Sequence, residues 1–226
     1  MSIAEKLTTL AENVPKVYEA GQQAEYDKFW DVFQENGKRT DYYVGFYGAY
    51  WNNDNFKPKY PLKPTSLNNT FSNSKISGDF TELCELDTSN CTILSSAFTG
   101  MTYLTKLGVL NCRKIEAASV SIASCPSLHT VEKIIFPDTG TKRIANFNGC
   151  TSLANIVIEG KMGGGSISFS VSPLTVESMN SIINSLYDYS GTGKTYTLSF
   201  KADRESLLPQ EYKDIATNKG WTLVWN

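Results

Sequence analysis

Two places in the chain carry residue types that could do chemistry, and the first is a glycine-rich run. Ser190-Gly-Thr-Gly193-Lys194-Thr195 is similar to the end of a phosphate-binding loop, in which backbone amides and a lysine hold phosphate at the start of a helix. The full pattern needs a glycine five residues before Gly193, where Asp188 would instead place a negative charge. A helix is predicted before this run and a strand after it, which is the reverse order. The run is therefore predicted to be a turn.

The second place is the single histidine, the one candidate for a histidine general base. His129 lies in one of three similar segments, and the equivalent residues in the other two are Thr105 and Ala154. A position that accepts all three residue types is typical of a solvent-facing strand residue, and no nucleophile motif accompanies it. We therefore expect no catalytic residue, no cofactor and no enzymatic activity.

The cysteines indicate packing, and neither a metal site nor a disulfide framework. The chain has five, at positions 84, 91, 112, 125 and 150, with no Cys-x-x-Cys pair. Cys125 and Cys150 hold the same slot in successive similar segments, where a buried thiol packs well. Both are predicted to be reduced and buried. Neighbouring slots make a disulfide between them geometrically conceivable, although packing does not require one.

An aromatic segment over residues 42–66 contains the candidate binding residues. It opens Tyr42-Tyr-Val-Gly-Phe46-Tyr47-Gly-Ala-Tyr50-Trp51 and continues with asparagines and three prolines, which favour turns and extended backbone. Two interpretations are open. The aromatics cover the end of the repeats, or part of the cluster is exposed and contacts a protein or a cell-surface glycan. The candidate contact residues are Tyr43, Tyr47, Tyr50 and Trp51.

The elements that must position these residues include an internal repeat over residues 67–172. Three segments begin at Phe98, Ile122 and Phe147, so their spacing is 24 and 25 residues, and each has Cys or Met three positions later and Leu six positions later. A period of this length predicts stacked units that bury a shared apolar core. Leu104, Leu128 and Leu153 are therefore predicted to lie one above another in that core.

The two flanks are predicted to contain helices. Residues 1–41 hold an a/d seam, Ile3, Leu7, Leu10, Val14 and Val17, followed by a second helix over about 16–36. Two readings of the seam are open: a helix folded onto its own chain, or a bundle that assembles the protein into a homo-oligomer such as a trimer. Residues 173–226 predict a helix–strand–helix–strand unit that covers the last repeat.

The repeats resemble the BspA-like leucine-rich repeats of bacteria, on the segments Cys150-Thr-Ser-Leu-Ala-Asn-Ile-Val-Ile158 and Ile134-Ile-Phe-Pro137. The resemblance implies an α+β fold: a leucine-rich-repeat-type β solenoid with N-terminal helices and a C-terminal helix–strand–helix–strand cap. The ends, Ile3-Ala-Glu-Lys-Leu with Tyr26-Asp-Lys-Phe-Trp30 and Lys219-Gly-Trp-Thr-Leu, are similar to phage and prophage leucine-rich-repeat proteins of gut Firmicutes. That family includes tail-associated proteins and defines no catalytic residue.

Charge and hydropathy narrow the function classes further. The net charge is −2 and no segment is strongly basic, so nucleic acid is not an expected partner. No apolar run is long enough to cross a membrane, and the first residues do not match a secretory signal. We therefore expect a non-enzymatic interaction or adhesion module in a virion or in host cytoplasm, which binds a protein or glycan through the outward face of the repeats or through the Tyr-rich segment. The alternatives are an oligomerising component of a phage particle and an intracellular inhibitor of a host protein.

Overall fold

The computed structural model describes residues 23–42, 45–48, 50–115, 120–139 and 146–226. Its first element is helix α1, Gln23–Phe33, which lies within the second predicted helix. Phe29, Trp30 and Phe33 share one buried face of α1 because residues three and four apart meet on the same side of a helix. The predicted seam over residues 3–17, and with it the predicted trimer contact, lies outside the described residues.

A four-stranded parallel sheet forms the middle of the molecule. Its strands follow chain order: β1 Gly78–Asp79, β2 Leu104–Asn111, β3 Thr130–Ile135 and β4 Asn155–Glu159, with the short helix α2 Phe80–Leu83 after β1. Lys106 pairs with Thr130, and Thr130 pairs with Asn155. The partners are thus separated by the same 24 and 25 residues as the similar segments of the sequence.

That register places three leucines at equivalent points, two residues before each of these paired positions. Leu104, Leu128 and Leu153 are each 0% exposed. Their predicted burial is confirmed.

A second parallel sheet follows at the C-terminal side. It contains β5 Ile167–Phe169, β6 Tyr196–Phe200 and β7 Trp221–Trp225, in that order. Helix α3, Val176–Asn184, lies between β5 and β6, while a 3-10 turn, Ala202–Arg204, and helix α4, Gln210–Asn218, lie between β6 and β7. Thr175 caps α3 by accepting a hydrogen bond from the Ser178 amide.

The predicted fold class, an α+β leucine-rich-repeat-type β solenoid with N-terminal helices and a helix–strand–helix–strand cap, is wrong. The strands fall into two separate all-parallel sheets of four and three strands, combined with helices in an α/β arrangement. The predicted element order at the C-terminus is present, but β6 and β7 continue a sheet with β5 and do not form a separate cap. The reason is local: α3 takes the place beside β4 that a further strand would need.

Helix α3 closes the free edge of β4 with serine hydroxyl groups. The Ser178 hydroxyl accepts from the Ile156 amide at 2.9 Å and donates to the Ala154 carbonyl at 3.0 Å. Ser181 does the same for the amide and carbonyl of Ile158, at 2.8 and 3.3 Å. Each hydroxyl thus supplies the acceptor and donor that a neighbouring strand would otherwise offer.

One continuous apolar core extends from Phe29 to Trp221. Stacked aromatic rings lie along this core. The ring centroids of Phe46 and Phe71 are 5.1 Å apart, and those of Phe71 and Phe98 are 5.6 Å apart. No helix in the described part of the chain combines the length and apolar character that crossing a membrane requires.

All five cysteines are buried and free, as predicted for Cys125 and Cys150. The Cys125 thiol donates to the Phe98 carbonyl and the Cys150 thiol to the Ile122 carbonyl. Hydrogen bonding to Cys150, together with burial, raises the pKa of Cys125. These thiols therefore pack and donate locally, and they offer no exposed nucleophile.

Candidate ligand-binding surface

The aromatic segment packs most of its rings under helix α1. Trp51 lies 5.7 Å from Trp30 and 5.0 Å from Phe46, measured between ring centroids. Phe56 closes the same cluster at 6.1 Å from Trp51. Trp51 is only 1% exposed, so the structure removes it from the predicted contact residues. The physical reason is that the α1 rings of Phe29, Trp30 and Phe33 pack against Trp51, with centroids 5.7–6.3 Å from its own.

Two tyrosines of the segment point away from this cluster. Tyr47 is 52% exposed and Tyr50 is 59% exposed. Backbone hydrogen bonds place both beside the following turn: the Gly48 amide donates to the Ser72 carbonyl, and the Lys75 amide donates to the Trp51 carbonyl. The segment therefore both covers the core and exposes rings. Tyr43 lies outside the described residues.

A third exposed tyrosine, which the sequence analysis missed, lies in a segment that hydrogen-bonds to the same residues 72–78. Tyr103 is 55% exposed, and its carbonyl accepts a hydrogen bond from the Gly78 amide. Gly78 follows Ser77, which pairs with the Asn53 side chain at 2.7 and 3.0 Å. Residues 72–78 thus connect the segments of the three exposed tyrosines, Tyr47, Tyr50 and Tyr103, which are called the tyrosine surface here.

A signal for Tyr103 is present in the sequence. Its equivalents in the other two similar segments are Ser127 and Ser152. A large aromatic ring at a slot that otherwise holds a small polar residue is not required by the packing of the repeat. The three members of the tyrosine surface are also the only aromatic residues among the exposed large apolar side chains of the described chain.

Polar groups surround these rings. The Asn73 side-chain amide donates to the Tyr47 hydroxyl at 3.4 Å. Asn73 adopts a left-handed backbone with φ of 59°, and its side chain lies against Gly100, where a Cβ atom would come within 2.2 Å of the Asn73 Oδ1. Gly100 therefore keeps room for this asparagine. Lys75 is exposed nearby in the same turn. Flat rings bordered by amide donors and a cation can contact a protein or a glycan.

The outward face of the four-stranded sheet, the other predicted contact surface, pairs its own charges. Lys106 lies 2.8 Å from Asp79 and 2.6 Å from Glu132. Both carboxylates hold the pKa of Lys106 above its usual value. Glu159 likewise contacts Arg113 at 2.7 Å and Lys133 at 3.3 Å. Because these charged side chains already form ion pairs with each other, they are less available to bind a charged ligand than unpaired side chains would be.

A shallow cleft of about 260 Å³ opens at the end of this face, between β3, β4 and the start of α3. Its lining is mostly apolar, from Val131, Ile156 and Val157, with Thr130 and Asn155 at polar positions. His129 is exposed beside it, with its Nδ1 atom 3.1 Å from the Thr130 hydroxyl and 3.4 Å from the Asn155 amide. These contacts orient the imidazole on the surface, and none of the carboxylates in the described part of the chain is buried beside it.

The glycine-rich run has the predicted context, because α3 precedes it and β6 follows it. The Asp188 carboxylate accepts a hydrogen bond from the Ser190 amide, and this bond closes a turn. In a phosphate-binding loop, the phosphate would lie at this position. Within the described ranges, no group of three or more His, Cys, Asp or Glu side chains is arranged to hold a metal ion.

The comparisons with known proteins add no relative to this description. No protein-family model, no curated protein and no solved structure matches the chain.

Proposed function

We propose that the chain is a non-enzymatic interaction module that binds a protein or a cell-surface glycan through the tyrosine surface. One observation carries the proposal: Tyr47, Tyr50 and Tyr103 are each more than half exposed, and the segments that contain them hydrogen-bond to the same residues 72–78. Exposed large apolar side chains on neighbouring segments are typical of contact sites. Tyrosine offers a large contact area and loses little conformational entropy on binding.

The proposed setting is a phage or prophage particle, with binding to the bacterial surface as the task. The resemblance of the chain ends to phage-encoded proteins supports this setting. None of the three tyrosines takes part in the ion pairs of Lys106 and Glu159, so a ligand on the rings need not break them.

Binding to whole bacterial cells tests the proposal. Fluorescently labelled native protein should bind cells from a panel of gut Firmicutes, and the variant Y47A/Y50A/Y103A should bind at least about tenfold more weakly. The exposed rings contribute little to the core, so the melting temperature of this variant should change by only a few degrees.

The control variant is Leu207→Ala, which removes a comparably exposed apolar side chain from the C-terminal half and should bind like the native chain. Protease treatment of the cells removes a protein ligand, whereas periodate oxidation removes a glycan, so the two treatments identify the ligand class. Absence of binding across the panel, or equal binding by the tyrosine variant and the native chain, would contradict the proposal.

A further inference from the structure

Among the segments that the structure describes, strand β7 has a paired neighbour on one side only. It pairs with β6 alone in the second sheet. Asn226, next to the strand, donates to the Phe200 carbonyl at 3.0 Å and accepts from the Ala202 amide at 2.7 Å, so its backbone groups point toward β6. Successive residues of a strand direct these groups to opposite sides. Val224 and Thr222 therefore also point toward β6, while Trp221, Leu223 and Trp225 direct their amides and carbonyls outward.

This edge has none of the usual protection against further pairing. Residues 221–225, Trp-Thr-Leu-Val-Trp, contain no charged residue, no proline and no glycine. Natural edge strands are usually short, charged, bulged or covered. The β4 edge shows such cover in the serines of α3, and the edge strands β1 and β5 have only two and three residues. The β7 edge is five residues long, and no described segment covers it.

Apolar side chains beside this edge are incompletely buried. Leu223 and Trp225 of β7 and Tyr212 and Ile215 of α4 pack against the core but keep part of their surface in solvent. A second apolar surface against this end would remove that area from water.

The sequence of β7 is complementary to itself in the antiparallel direction. A two-fold axis at Leu223 sets Trp221 opposite Trp225 of the second copy and Thr222 opposite Val224 of the second copy. The first pair is aromatic and the second is β-branched, and both kinds favour cross-strand contact. In this register the hydrogen-bonded pairs are formed by Trp221, Leu223 and Trp225, whose backbone groups point outward. The pairing gives about six inter-chain hydrogen bonds.

We propose that two copies of this chain form a two-fold symmetric dimer through antiparallel pairing of their β7 strands. The two three-stranded sheets then form one continuous sheet of six strands. Because the contact is isologous, the dimer is closed. Each β7 edge pairs with one other copy and cannot add further strands. The dimer carries two copies of the tyrosine surface, but its formation does not depend on what that surface binds.

Light scattering on the purified full chain, with charge variants of β7, tests this register. The native chain should have twice the monomer mass of 25.1 kDa. The variant T222K/V224K places lysine opposite lysine at both flanking positions and should weaken the dimer about tenfold or more. The variant T222K/V224E changes the same two positions but places lysine opposite glutamate, so it should dimerise like the native chain. The nearest residues on β6, Thr197 and Ser199, carry no charge that would alter this comparison.

Two further measurements make the result specific to β7. Val157→Lys adds a lysine to an exposed position of β4 and should leave the dimer intact. Hydrogen exchange at the Leu223 and Trp225 amides should slow as protein concentration rises. A monomeric native chain, or an oligomer whose mass is the same in T222K/V224K, would overturn the proposal, as would exchange at these amides that does not depend on concentration.

Discussion

Leu128 shows how a single residue can connect the repeat period to stability. It is fully buried between Leu104 and Leu153, which occupy the equivalent positions on either side. Its own amide donates to the Cys125 carbonyl at 3.1 Å, which fixes the turn before β3. Its side chain therefore contacts both neighbouring units, and the surrounding packing cannot collapse without moving either of them.

Truncation of this side chain should be costly. Leu128→Ala is expected to lower the free energy of unfolding by about 2–5 kcal/mol, because it removes buried methyl groups and leaves a cavity. Urea denaturation followed by circular dichroism measures the change. Thr151→Ala, at an exposed position in the next turn, is the control and should change the same free energy by less than about 0.5 kcal/mol. A similar small effect from Leu128→Ala would contradict its place in the core.

At the scale of elements, helix α3 makes two contacts: its apolar residues pack in the core, and its serines cover the edge of β4. Met179, Ile182 and Ile183 form its buried apolar face, as the helical spacing predicts. Ser178, Ser181 and Ser185 face the β4 edge, and the Ser185 hydroxyl also donates to the Ile158 carbonyl at 2.9 Å. The serine positions match because Ser178 and Ser181, three residues apart, lie on one face of the helix, and the Ile156 and Ile158 amides, two residues apart, point to the same edge of the strand.

Removal of one of these hydroxyl groups tests the edge contact. Ser181→Ala should lower the free energy of unfolding by about 1–3 kcal/mol, because the Ile158 amide loses its acceptor. Exchange of that amide with deuterium should become faster. Ser181→Thr keeps the hydroxyl and should retain most of the stability.

Asn184→Ala, at an exposed position of the same helix, controls for the higher helix propensity of alanine. If Ser181→Ala were as stable as Asn184→Ala, the hydroxyl would not be acting as the edge partner of β4.

At the scale of the whole molecule, one core joins the two sheets, and α3 is packed between them. Helix α3 contacts β4 of the first sheet and α4, which covers β7 of the second. Stacked units can lose cooperativity when contacts are made only between neighbours. Here the shared helix and the unbroken apolar cluster favour a single unfolding unit.

The four tryptophans allow this expectation to be checked, since Trp30 and Trp51 lie at one end and Trp221 and Trp225 at the other. In the variant W221F/W225F, the fluorescence of the remaining Trp30 and Trp51 reports unfolding at their end. In W30F/W51F, the remaining Trp221 and Trp225 report unfolding at the other end. Within each variant, the urea transition followed by fluorescence should coincide with the transition followed by circular dichroism. A fluorescence change that precedes the circular dichroism change in either variant would show that the two ends unfold independently.

The sequence by itself determined the features that depend on local spacing. The 24- and 25-residue periods specify the strand register because residues at equivalent positions must pack on each other. The buried leucines and thiols, the apolar face of α3 and the turn after Asp188 follow from the same kind of pattern. Only the tertiary structure decided the division into two sheets, because it depends on α3 competing with a strand for the β4 edge.

Tertiary structure also decided which aromatic rings are exposed. Trp51, Tyr47 and Tyr50 occur within five residues of one another, yet α1 covers the first and leaves the other two in solvent. A local pattern does not predict this, because tyrosine and tryptophan suit both a core and a contact surface. The free edge of β7 is similar: its sequence indicates a strand, but whether a neighbour covers that strand depends on where the rest of the chain packs.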